Sequence, residues 1–186
     1  MEGASCTPRE ADSIEGVTPV GERALAACRR PDGRYDIYYS QWAASDAVLA
    51  ELLDAGQPPR YATLTELDWQ YHAIHTSETL VQSLDYLAME AVYLLSPAGL
   101  TVSLPVWLGF GRPNESVDPT TGVLVQVHSL VEYRQLRATV RFLKGVFRDG
   151  IRAGLLSDSC AVSLLVIGLR NYREFISDTA TRHPVT

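Results

Sequence analysis

Lysine is nearly missing from this 186-residue chain, where Lys144 stands alone beside fifteen arginines. Cysteine is scarce too: Cys6, Cys28 and Cys160 are odd in number and far apart. They form no CxxC pair and no metal-ligand spacing, which argues against a disulfide framework or a thiolate zinc site. Cys28 and Cys160 are expected to be small core residues. No apolar run reaches the roughly 18 residues that a membrane span needs. The longest, Cys160 to Leu169, is interrupted by Ser163 and Gly168. The N-terminus lacks the basic-then-apolar order of a signal peptide. The expectation is a cytoplasmic protein with no membrane contact.

Signatures of chemistry are also missing. There is no Gly-rich phosphate loop with its Lys, and Gly109-x-Gly111 lacks both a third glycine and a strand-to-helix setting. There is no Gly-x-Ser-x-Gly elbow and no HExxH. Nothing marks a nucleophile, a cofactor or a resident metal.

What is there suits one globular domain, with 46% apolar residues and a length short for two domains. The net charge of −6 keeps such a chain soluble and opposes whole-molecule affinity for nucleic acid. Residues 1–20, rich in small, polar and acidic types, are expected to form a disordered arm. A single domain is expected over 21–178, and a flexible tail over 179–186.

Within the domain, Arg30-Pro31-Asp32-Gly33 joins two β-prone runs and predicts a hairpin. In the second strand Tyr35, Ile37 and Tyr39 are expected to face the core, leaving Asp36, Tyr38 and Ser40 for solvent or a ligand. Ser45 caps a helix with Val48, Leu49, Leu52 and Leu53 inward, and Thr76 or Ser77 caps another with Leu80, Val81, Leu84 and Leu87 inward. Residues 63–75 are ambiguous between helix and strand. Glu90–Leu95, Leu100–Phe110 and Val123–Val127 read as strands. Pro105, which cannot donate to a ladder, predicts an edge or a bulge. Glu132–Ala153 and Asp158–Ile176 read as closing helices. The fold class is α+β, in the order ββααβββαα, with about five mostly antiparallel strands and helices packed on one face.

Two groups of residues resemble a family of small uncharacterised haloarchaeal proteins, a domain of unknown function. One is Gly21-Glu22-Arg23-Ala24-Leu25 with Arg30-Pro31-Asp32-Gly33, Tyr35, Tyr39-Ser40 and Trp42. The other is Leu84-Asp85-Tyr86-Leu87 with Glu90-Ala91, Tyr93, Ser96, Trp107 and Gly109. The resemblance implies a start at Val20, so that residues 1–19 would be a mis-assigned extension. It also implies histidines where this chain has Tyr38, Gln41, Ala88 and Met89, which weakens any carry-over of imidazole chemistry. A haloarchaeal cytoplasm would hold molar salt, where the Debye length falls to about 3 Å and exposed charges are strongly screened.

The sharpest motif is basic. Arg134, Arg137, Arg141, Lys144, Arg148 and Arg152 recur at helical spacing and fall within an arc of roughly 80° at about 100° per residue. The rest of the chain holds 10 basic and 22 acidic residues, a net −12. Such a stripe is either a solvated face paired with acidic neighbours or a docking surface for an acidic protein or a nucleic acid. His72 and His75, near Asp68 and Glu78, with His128 from elsewhere, would suit a metal only if the fold gathered them. Glu90, between an apolar helix and an apolar strand, could serve as an acid or base if buried. Tyr38, Ser40 and Trp42 could line a cleft. The last helix, apolar over much of its circumference, suits burial against a second copy. The leading expectation is a binding or interaction protein that could form a homodimer. The alternatives are a small-molecule or metal-assisted hydrolytic enzyme using His72, His75, His128 and Glu90, and a nucleic-acid-binding accessory protein.

Overall fold

The computed structural model describes residues 22–53, 68–111 and 118–182; the expected arm, half of the expected tail (183–186) and Gly56 lie outside them. In chain order the elements are β1 (Ala24–Arg29), β2 (Tyr35–Ser40), α1 (Asp46–Leu53), β3 (Gln70–His75) and α2 (Ser77–Ser83). They continue as β4 (Ala91–Ser96), β5 (Gly99–Trp107), β6 (Gly122–Val127), α3 (Leu130–Arg152) and α4 (Asp158–Arg182). The strands form one sheet in the order β3-β2-β1-β4-β5-β6, in which β1 and β4 run parallel and all other neighbours antiparallel. The class is α+β, as expected.

Local chemistry sets the elements. In the first hairpin Gly33 takes φ +83°, and Arg30 N–H donates to the Arg34 carbonyl at 2.8 Å. Ser45 Oγ accepts from Val48 N–H, Thr76 exchanges hydrogen bonds with Thr79 in a capping box, and Ser129 Oγ accepts from Glu132 N–H at 3.0 Å. Gly154, at φ +71°, closes α3 and lets α4 turn back beside it.

Two expectations are corrected. The described residues form six strands, because part of the ambiguous 63–75 segment is β3. Of the four residues there whose spacing would suit a helix, Leu64 and Leu67 lie outside the described residues, while Tyr71 and Ile74 are exposed. The open edge of β2 supplied backbone partners that outweighed the helical pattern. The helices, moreover, cover both faces of the sheet. Leu49, Tyr133, Leu136 and Leu165 bury Ala24, Ala26, Tyr93 and Val102 on one side. Leu80 of α2, with Leu84 and Tyr86 beyond it, buries Leu25, Ile37 and Val92 on the other. The Asp36–Tyr38–Ser40 face of β2 is therefore not free for solvent. Ser40 is buried and Tyr38 packs against the larger core. Of the stripe expected on α2, Val81 and Leu87 are exposed. Cys160 is also exposed, on the outer side of α4, and only Cys28 is partly enclosed.

Three buried tyrosines separate packing from hydrogen bonding. Tyr93 donates its hydroxyl to the Ala43 carbonyl, and Tyr133 donates to the Glu90 carbonyl at 3.0 Å. The Tyr86 hydroxyl is buried with no partner among the described residues, while its ring fills the space where a side chain on Gly122 would lie. Removing a bonded hydroxyl strands a buried carbonyl, whereas removing an unpaired one relieves a desolvated group. Tyr93→Phe should lower unfolding stability by about 1–2 kcal/mol, and Tyr86→Phe should leave it level or raise it by up to about 1 kcal/mol. Chemical denaturation of both variants checks this. Equal losses in the two would refute it.

Candidate functional site

The site begins at a proline. The β4–β5 ladder runs from Ser96↔Gly99 to Val92↔Ser103, while β5 stays paired with β6 as far as Trp107↔Gly122. Continuing the first register would set Glu90 against Pro105, which has no N–H to give. The ladder ends there, so Pro105 stands at a local edge toward β4. Glu90 finds other partners: its amide donates to the Arg23 carbonyl at 2.8 Å, and its carbonyl accepts from Tyr133.

The space left beside β5 is an open cleft of about 270 Å³. Leu104, Val106 and Val140 of α3 give it an apolar floor, and Leu87 and Met89 form a wall. The turn carrying that wall is held by Asp85, whose carboxylate accepts from the amides of Leu87 at 3.0 Å and Ala88 at 2.9 Å. Arg137 and Arg141 complete the lining from α3.

Sequence pattern alone could not sort the six cations, and the structure does. Arg134 pairs with Asp46 of α1 at 2.7 Å, and Arg152 with Asp149 at 3.5 Å. All four side chains are more than half exposed, so each pair contributes at most about 1 kcal/mol. Arg137 pairs with Glu90, whose side chains are only 30% and 20% exposed. Among the described residues Lys144 has no carboxylate partner. Its ammonium donates to the Trp107 carbonyl at 2.7 Å and lies 4.2 Å from the centre of the Trp107 ring and 5.5 Å from that of Phe110. Arg141 and Arg148 are exposed and have no partner among the described residues. The stripe is thus neither wholly paired nor wholly free.

The remaining candidates do not converge. His72 and His75 sit on β3 at one edge of the sheet, and His128 follows β6 at the other, five strand spacings or about 24 Å away. The His72 ring meets Tyr39 edge-on with centres 4.9 Å apart, and the His128 amide donates to the Glu132 carboxylate at 2.7 Å. Glu90 lies between these edges, committed to Arg137. Among the described residues no three His, Cys, Asp or Glu side chains are placed to hold a metal. Tyr38 and Ser40 share the core-facing side of β2, whereas Trp42 is 59% exposed beyond its end. No motif in the sequence marks Leu87 and Met89 as a cleft wall. No spacing rule marks a residue that merely faces a gap in a ladder.

Burial, and then the neighbouring charge of Arg148, pull Lys144 down to about 8, despite a carbonyl and ring faces that favour its charged form. Its folded pKa lies below the unfolded value, so the protonated amine opposes folding. The contribution of this group to stability should therefore rise as pH climbs from about 8 to about 10.4. Because Lys144 is the sole lysine, its ε-carbon resonance can be followed alone. The titration midpoint should fall near 8 and move up in Arg148→Gln. An ordinary lysine midpoint of about 10.4 would contradict it.

In comparisons with known proteins, the chain matches no family model, no curated protein and no solved structure. Its activity has to be read from its own chemistry.

Proposed function

We propose that the chain is a binding protein that offers one flank of α3 to an acidic protein partner. The observation that carries this reading is the pair Arg141 and Arg148, exposed and unpaired among the described residues. Seven residues separate them, about 10 Å along the helix axis, so both can meet one acidic patch. The net −12 outside the stripe disfavours a nucleic acid, whose phosphates would approach an acidic molecule. The hydrolytic alternative required His72, His75, His128 and Glu90 together, and the sheet keeps them apart.

A polyglutamate peptide is a defined probe. Fluorescence anisotropy at low salt should show binding that falls with ionic strength, and by about tenfold or more in Arg141→Glu/Arg148→Glu. Binding unchanged by the double substitution would overturn the reading. A single-stranded oligonucleotide bound more tightly than the peptide would transfer the flank to nucleic acid.

A homodimer is the second reading, supported by the outer sides of the two long helices. Phe142 and Val146, one turn apart on α3, are exposed, as are Leu164 and Ile167, likewise about one turn apart on α4. Phe142 is 69% exposed and Ile167 52%. Ala161, Leu165 and Leu169 already satisfy the contact of α4 with the core, leaving Leu164 and Ile167 to spare. Sedimentation at micromolar concentration should show a dimer that Phe142→Asp/Ile167→Asp dissociates. A wild-type monomer would end this reading.

A further inference from the structure

We infer that the cleft beside Pro105 binds a small organic monoanion, a carboxylate carrying a short apolar body. Its size limits the ligand. At about 270 Å³ it lies just below the range of about 300–1,000 Å³ that encloses drug-sized molecules. Its surface divides the ligand into two parts. Leu104, Val106, Val140 and Met89 offer apolar contact, while the positive charge is supplied from α3 alone.

That charge can be counted. The Glu90 carboxylate offsets Arg137, so the lining is left with the single positive charge of Arg141, which has no described partner. One uncompensated guanidinium matches a monoanion, and its planar fork suits the two oxygens of a carboxylate. Arg137 is fixed by Glu90 yet keeps donors to spare, because a guanidinium carries five N–H groups and one carboxylate does not use them all. The walls are set before any ligand arrives, since Asp85 ties the Leu87–Met89 turn and β6 holds β5 on its far side. This site shares Arg141 with the acidic-partner flank but does not depend on Arg148.

Met89 provides the readout, because the only other methionine is Met1. With methyl-labelled methionine, hexanoate should shift the Met89 resonance saturably with a millimolar dissociation constant, as suits so small a ligand. Hexanamide, of the same shape without charge, should bind at least about tenfold more weakly. Arg141→Gln and Leu87→Glu alter exposed positions and should retain the fold, checked by circular dichroism, while each weakens hexanoate about tenfold or more. Arg148→Glu should weaken the polyglutamate peptide but shift hexanoate affinity by no more than about twofold. This separates failure of the cleft from failure of the flank. Three results would each overturn the inference: no saturable Met89 shift well above millimolar hexanoate, equal affinity for hexanamide, or unchanged affinity in Arg141→Gln.

Discussion

Glu90 is where the long helix is fastened to the sheet. Its amide meets the Arg23 carbonyl, its carbonyl takes the Tyr133 hydroxyl, and its carboxylate holds Arg137. One residue thereby ties the entry to β1, the start of β4 and two successive turns of α3. Burial pushes the Tyr133 phenol up to about 12. The ion pair keeps some solvent access, so it avoids much of the desolvation penalty of a fully buried pair. Its value lies in geometry. With Tyr133 and Leu136 fully enclosed and Arg137 anchored, the rotation of α3 is set, and every cation on its flank is aimed as a consequence.

The vacancy at Pro105 and the anchoring at Glu90 are two sides of one event. A residue able to donate at position 105 would let β4 and β5 pair further, and Glu90 would spend its backbone within the ladder. Proline prevents that, so the backbone groups of Glu90 turn to β1 and α3, and a notch opens beside β5. Trp107, two residues on, then covers the position where a side chain on Gly109 would stand and offers its carbonyl and ring to Lys144. One stretch of β5 thus carries both the notch at Pro105 and the resting place of the sole lysine. Arginine at 144 would carry a broad planar fork into a corner where a compact ammonium meets one carbonyl and two ring faces.

Charge on this chain is segregated by position on one helix, and the fold divides it further. Arg134 and Arg152 lie at the surface with acidic neighbours, Arg137 and Lys144 are drawn inward, and Arg141 and Arg148 remain open among the described residues. Because the helix rotates by about 100° per residue, positions only three or four apart see different depths of the groove between α3 and the sheet. A uniform stripe in sequence therefore becomes three environments. Of the two open cations, Arg141 lines the cleft.

The local elements were legible because their causes are local. Asp32-Gly33 fixed the hairpin, Ser45 and Thr76 capped their helices, and the helical spacing of the cations from Arg134 to Arg152 marked α3 and its basic flank. Pro105 was legible as an edge. The strand at 70–75 was not, because its pattern suits a helix as well and only the open edge of β2 decided between them. The covering of both sheet faces was equally hidden, since alternation in β2 reports two faces without saying what packs on each. His72, His75 and His128 looked available to one another until strand order put them on opposite edges. By itself the sequence determined what each segment could form and which residue types each helix face would carry, for these follow from backbone and side-chain preferences over a few residues. Only the tertiary structure decided that Glu90 would meet Arg137, that Arg141 and Arg148 would be left over, and that a cleft would open between Arg141 and Met89, because contacts across the fold depend on strand order and helix rotation, which no short stretch of chain encodes.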